Sequence, residues 1–108
     1  MAKEAIFLGD SLKVIRNFPD DPRGQIGHEI DILQNGGTPP SAKPMKTVGK
    51  GVWELTDQDA DGQYRAFYFV EHLGDVIILH AFQKKDQETP ESEKAIARSR
   101  YKARVNKG

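Results

Sequence analysis

Apolar residues are unevenly spread along the chain, and their spacing changes from one stretch to the next. The densest run lies between Gly62 and Lys85, GQYRAFYFVEHLGDVIILHAFQKK, and is rich in both β-branched and aromatic side chains. Within it, Gln63 to His72 and Asp75 to Gln83 flank Leu73-Gly74, which predicts an antiparallel hairpin with a glycine able to take φ > 0 in the turn. If Leu73-Gly74 is the whole loop, His72 stands opposite Asp75, Phe69 opposite Ile78, Phe67 opposite His80 and Arg65 opposite Phe82. Period two then gives one face Tyr64, Ala66, Tyr68, Val70, Ile77, Leu79 and Ala81, apolar enough to take helices. The other face receives Arg65, Phe67, Phe69, Ile78, His80, Phe82 and Lys84. Cations and aromatics share that face, which suits an anionic and partly flat ligand such as RNA.

Upstream the period changes. Ala5 to Leu8 is a short apolar run that reads as an edge strand, and Asp10 or Ser11 after Gly9 can cap a helix. Leu12, Ile15 and Phe18 recur at helical spacing until Pro19 stops them. Asp20-Asp21-Pro22 signals a second start, with a carboxylate as cap and the proline at the first helical position, and Ile26, Ile30 and Leu33 form its apolar stripe until Gly36-Gly37. The two helices make a hairpin joined at the proline, a lid for one sheet face. Thr38 to Gly51 carries three prolines, two glycines and no periodicity, so it reads as a loop, long enough to be functional. Val52 to Thr56 is a strand, and Asp57 to Gly62 an acidic hairpin turn. Thr89-Pro90 opens a last helix with Glu91 and Glu93 in its first turn, basic residues from Arg98 to Lys107 toward its end, and Ala97, Tyr101 and Val105 as its buried stripe. The whole predicts an α+β fold. Its sheet is twisted and antiparallel with about four strands, the N-terminal helical hairpin covers one face, and the basic C-terminal helix lies at an edge.

Composition narrows the function classes. At 108 residues the chain suits a single domain spanning 1–108. It has no cysteine, which excludes a disulfide framework and thiolate metal chemistry. No stretch approaches the roughly 18 apolar residues of a membrane span, and the N-terminus lacks a signal-peptide layout, so the expected compartment is the cytoplasm, without membrane association. Formal charge is zero, yet residues 1–82 hold 8 basic and 12 acidic side chains while 83–108 hold 8 basic and 4 acidic. That asymmetry suits an anionic partner at the C-terminal end, as it also suits a solvated charged helix.

Conventional catalytic motifs are largely absent. There is no Gly-rich phosphate loop and no H-E-x-x-H, and His28, His72 and His80 are too scattered for zinc. DQDADG lacks the glycine spacing and terminal glutamate of a calcium loop. No metal or other cofactor is expected. His80 in an apolar strand is either a satisfied core residue or a general acid or base. Arg65 in such a strand needs an anion, either a ligand phosphate or the carboxylate of Glu54 or Glu71. Lys43, Lys46 and Lys50 are solvated loop lysines or phosphate contacts.

Taken together, Val52-Trp53-Glu54-Leu55, Tyr64-Arg65-Ala66-Phe67-Tyr68 and Leu79-His80-Ala81-Phe82-Gln83-Lys84-Lys85, followed by Thr89-Pro90 and a basic helix, resemble the RelE/ParE toxin superfamily in its HigB-like, phage-derived branch. The resemblance covers essentially the whole chain. It implies the toxin of a toxin–antitoxin system, a ribosome-dependent endoribonuclease in which the RNA 2′-hydroxyl attacks the neighbouring phosphate without a metal. It also implies a helix-turn-helix antitoxin as partner and mRNA on the ribosome as target. In that scheme Arg65 and Lys84 or Lys85 face the scissile phosphate, His80 is a candidate acid or base, and Lys43, Lys46, Phe82, Arg98 and Tyr101 contact RNA. Where relatives often carry a tyrosine or histidine after the strand-end basic pair, this chain has Asp86-Gln87-Glu88-Thr89. That departure leaves two alternatives: a non-catalytic, gyrase-directed toxin of the ParE kind, or a domesticated module that binds only antitoxin or RNA.

Overall fold

Alternation in the central run produces two long paired strands, and the other elements are arranged on their two faces. The computed structural model describes residues 2–72, 74–85 and 90–106. In chain order the elements are β1 (Ala5–Phe7), α1 (Ser11–Arg16), α2 (Asp20–Gln34), β2 (Lys43–Pro44), β3 (Trp53–Asp59), β4 (Gly62–Val70), β5 (Val76–Lys84) and α3 (Glu91–Val105). The fold is α+β, with a five-stranded sheet ordered β1-β5-β4-β3-β2. It differs from a four-stranded antiparallel sheet at its two edges. β1 runs parallel to β5, and a two-residue strand, β2, forms inside the proline-rich loop against Trp53 and Glu54.

The β4–β5 pairing keeps Phe67 opposite His80 and Arg65 opposite Phe82, but beyond Phe67 the register slips by one, so that Tyr68 faces Ile78 and Phe69 faces Ile77. A β-bulge at Leu79 absorbs the extra residue. Two expectations are corrected as a result. Ile77 and Leu79 point to the face of Phe67, Phe69 and Phe82, while Val76 and Ile78 join Tyr64, Ala66 and Tyr68. The connection also spans Glu71 to Asp75, closed by the Glu71 amide on the Asp75 carbonyl at 3.0 Å; Leu73 lies outside the described residues.

On the first face, Ile15, Phe18, Ile26, Ile30 and Leu33 of the helical hairpin bury against Leu55, Tyr64, Ala66 and Tyr68. The second helix begins at Asp20 behind Pro19, with Pro22 inside its first turn and no side-chain cap, so the first-turn carboxylates favour the helix through its dipole, and Asp20 also through its pair with Arg23. The buried Glu29 of α2 accepts from Gln25 at 3.0 Å and from Ser41, whose oxygen also takes the Thr56 amide at 3.0 Å. These bonds tie α2, the proline-rich loop and β3 together.

α3 lies across β5 on the opposite face, and not at a sheet edge as the sequence pattern suggested. Ala97 is buried there and Tyr101 half-buried, whereas Val105, expected in the buried stripe, is 46 % exposed. Pro90 precedes the helix, with Thr89 outside the described residues. The face expected to be open to a ligand is therefore a second core, of Phe67, Phe69, Ile77, Leu79 and Phe82 under Ala97, Val48 and Val52.

Candidate nucleic-acid interface

Most arginines and most lysines differ in environment, with exposed Arg16, which makes no ion pair among the described residues, and buried Lys84 as exceptions. Arg23, Arg65, Arg98, Arg100 and Arg104 are all ion-paired, with Asp20, Glu54, Glu91, Asp10 and Glu71 respectively. Lys43, Lys46, Lys50, Lys85 and Lys102 are exposed and make no ion pair among the described residues. The paired guanidinium groups hold the fold here, and the ammonium groups of these five exposed lysines face solvent.

Docking of α3 brings the distant lysines together. Arg98 donates through Nε to the Thr47 carbonyl at 2.7 Å, and the Tyr101 hydroxyl donates to the Lys50 carbonyl at 2.7 Å. Gly49 permits that approach, because a Cβ there would stand 2.7 Å from the Tyr101 ring. The loop is thus gripped by its backbone, leaving the Lys46 and Lys50 side chains outside. Lys94, Arg98 and Lys102 follow one another at four-residue spacing and form one ridge of α3 beside that loop. Four of the residues expected to contact RNA, Lys43, Lys46, Arg98 and Tyr101, belong to this loop and helix. Lys50, a candidate phosphate contact on the sequence pattern, and Lys102, not singled out there, join them. The helical repeat was visible in the sequence, but not the docking that aligns it with the loop.

Phe82 is placed differently. It is 4 % exposed, against Phe67 at a centroid distance of 5.4 Å and His80 at 5.6 Å, so as folded it offers no free ring to a base. His80 is also buried and satisfied on both sides. Arg100 Nη1 lies 3.2 Å from Nδ1, and Glu93 Oε1 lies 2.8 Å from Nε2. A guanidinium can only donate, so Nδ1 is the acceptor and the proton sits on Nε2, toward Glu93. Arg100 is itself fixed by the Leu79 carbonyl at 3.0 Å and Asp10 at 3.0 Å, and Gly9, at φ 55°, leaves room for its guanidinium. The result is a chain of polar contacts from the start of α1 through α3 to the sheet.

Arg65 lies on the α3 side of β4, where its guanidinium meets Glu54 and Gln63. Of the two carboxylates the sequence allowed, Glu54 is the partner. Glu71 instead takes two bonds from Arg104, at 2.9 and 3.1 Å. Lys84 is buried at the end of β5 and shares that face with Arg65, while Lys85, just beyond, is exposed beside the β3–β4 turn. Hydrogen bonds from Arg100, Arg104 and Arg98 hold the carboxyls of Asp10, Glu71 and Glu91 below their ordinary range, while Glu71 pushes Arg104 up. No cluster of metal-ligating side chains occurs among the described residues, and no helix there is long and apolar enough to cross a membrane.

Comparison with known proteins places this arrangement in a family. No curated protein matches the chain. The family model described as phage derived protein Gp49-like (DUF891) matches residues 13–102, from α1 through the loop-gripping part of α3, and the chain belongs to that family.

Proposed function

We propose that the chain is the toxin of a toxin–antitoxin pair and an endoribonuclease acting on mRNA at the ribosome. Membership of the Gp49-like family, which is of toxin-like RelE/Gp49 type, supports the class. The observation that carries the RNA-directed part is the convergence of exposed lysines from one loop and one helix ridge, which make no ion pair among the described residues, while Arg65, Arg100 and Arg104 are held by carboxylates in the fold. Lysines so placed bind a phosphate backbone without reading bases, as a target presented on the ribosome requires. Arg65, with Lys84 on the same sheet face, is the charge donor for the scissile phosphate, and the attacking oxygen is the RNA's own 2′-hydroxyl. A helix-turn-helix antitoxin is the proposed partner.

A second reading, RNA binding without cleavage, is favoured by one observation: Arg65 is already bound to Glu54, and Phe82 and His80 are buried. Incubating the protein with programmed ribosomes and mapping mRNA ends separates the two. New ends inside codons, lost in Arg65→Ala, support cleavage. Intact mRNA that still co-sediments with the protein leaves binding alone, and arrest with DNA damage on induction in bacteria points to gyrase. Co-expression of an adjoining helix-turn-helix gene restores growth if the partner is as proposed.

A further inference from the structure

Glu54 and Arg65 form an incomplete pair. Glu54 comes from β3 and Arg65 from β4, and their contact is one N–H of the guanidinium, Nη1, on one carboxylate oxygen, with Nη2 bound to Gln63. Glu54 Oε2 and Arg65 Nε are both buried and without a hydrogen-bond partner among the described residues. The Glu54 side chain is only 3 % exposed and that of Arg65 15 %. Arg23, Arg98 and Arg100 also meet their carboxylates through one N–H, but in those pairs no buried atom is left unmatched; among the described residues, Glu54 and Arg65 are the pair with orphaned atoms under cover. Arg104 offers Nε and Nη2 together to the two oxygens of Glu71, at 2.9 and 3.1 Å, which is the full fork. At Arg65 the fork stays half used, with an unmade donor and an unmade acceptor under cover, an arrangement that costs stability.

We propose that Glu54 is a resident stand-in for a phosphodiester of single-stranded RNA on Arg65. In the free protein the carboxylate holds the guanidinium; a phosphate, with two oxygens to offer, takes its place and fills Nε as well. The inference rests on the RNA-directed reading above and gives Glu54 a role in it, as the residue that sets how tightly the strand is held. Position agrees with exchange. α3 meets the sheet from His80, through Glu93, to Glu71, through Arg104. Arg65, opposite Phe82, and Gln63, opposite Lys84, therefore lie beyond the start of α3, toward exposed Lys85. A displaceable anion also disfavours ligands that cannot fill the fork.

Glu54→Gln tests this directly, since the amide oxygen can still accept from Arg65 while the competing charge is gone. Fluorescence anisotropy with a single-stranded 2′-O-methyl oligoribonucleotide, which cannot be cut through its own 2′-oxygen, reads the affinity. Binding about tenfold tighter than wild type is expected, and the gain should vanish in Glu54→Gln/Arg65→Gln. Unchanged or weaker binding by folded Glu54→Gln overturns the proposal, as does a gain that survives in the double variant. A gain for inorganic phosphate without one for the oligonucleotide overturns the assignment to a strand. Should Glu54→Gln fail to fold, NMR of the wild-type arginine side chains decides. Saturation with the oligonucleotide should shift the Arg65 Nε–H signal and leave that of Arg104 in place, and an unmoved Arg65 signal rejects the exchange. Because neither arm needs ribosomes or cleavage, a failure of the nuclease reading would leave both results interpretable.

Discussion

The two faces of the sheet are covered by helices of opposite character. Against α1 and α2 the contacts are apolar, with Ile15, Phe18, Ile26, Ile30 and Leu33 interlocked with Leu55, Tyr64 and Tyr68. Against α3 only Ala97 is fully buried, and the helix is otherwise held by Arg98 on Thr47, Tyr101 on Lys50, Arg100 on Asp10 and His80, and Arg104 on Glu71. Apolar burial is non-directional and contributes with area, whereas partly exposed ion pairs contribute little each but fix geometry. On the first face the helices themselves supply the apolar side chains, whereas on the second the apolar core comes mostly from strands and loop, and the polar contacts of α3 fix the position of the lysine-bearing loop over it.

The sharpest way to break this contrast is to truncate a residue of each side. Ile26→Ala on α2 should lower unfolding free energy by about 2–5 kcal/mol, the range for opening a cavity in a packed core. Denaturant melts would read it. A loss no greater than that from removing one α3 contact would abolish the distinction between the faces. Glu54→Ala should come next. It leaves the Arg65 guanidinium without its carboxylate, and because Arg65 retains some exposure the loss is about 1–3 kcal/mol, below the full cost of breaking a fully buried pair. Glu54→Met/Arg65→Met, which removes both charges, should recover most of it. If the double variant is as unstable as Glu54→Ala, the cost lies in packing and not in the charge.

Smaller effects fall on the loop. Tyr101→Phe deletes the bond to the Lys50 carbonyl and should cost about 0.5–1.5 kcal/mol. Its more informative consequence is for RNA. With the loop released, Lys46 and Lys50 no longer share a fixed surface with Lys102, so affinity for a single strand should fall although no cation has been removed. Lys46→Gln, by contrast, should weaken binding and lower the slope of log affinity against log salt by about 0.7, the value for one phosphate contact on a single strand. A titration in which Tyr101→Phe is silent and Lys46→Gln leaves the slope unchanged would place the strand elsewhere.

These elements differed in how far the sequence revealed them. α1 and α2 follow from helical spacing and two prolines, because one apolar stripe facing one sheet leaves little choice. The β4–β5 hairpin is likewise legible, and His80, Phe82 and Lys84 fall on the expected face. Ile77, Leu79 and Ile78 do not, since a single bulged residue inverts alternation and an unbroken apolar run carries no mark of where it sits. The placement of α3 was hidden for a related reason. A helix whose docking depends on backbone carbonyls of a loop shows little apolar periodicity beyond Ala97, Tyr101 and a Val105 that stays exposed, and its arginines read as a basic surface until their carboxylate partners are known. For the same reason Arg65 could be narrowed to an anion or to Glu54 or Glu71, but the choice depended on which strand neighboured β4.

Acid should separate the faces again, with the smallest effect. Asp10 and Glu71 hold α3 through Arg100 and Arg104, and Glu91 pairs within the helix with Arg98. All three carboxyls lie below ordinary values of 3.8 for Asp10 and 4.5 for Glu71 and Glu91, each through its arginine hydrogen bond. A depressed folded-state pKa contributes stability that is complete above the unfolded value and is lost as pH falls through the folded one. The contribution of these three carboxyl–arginine pairs should therefore be constant down to about pH 5 and be lost only below about 4. Since Asp10 is more than half exposed, with Glu71 and Arg104 nearer a quarter to a third, each docking pair is worth only some tenths of a kcal/mol after solvent screening. Hydrogen exchange as a function of pH can resolve this by element. Amides of α3 should lose protection in acid ahead of those of α2, whose apolar contacts do not titrate, and the difference should narrow in high salt as the released pairs are screened. Loss of protection in α3 and α2 at the same pH would mean that the helices share one cooperative unit and that the polar contacts of the second face are as integral to the fold as the core of the first.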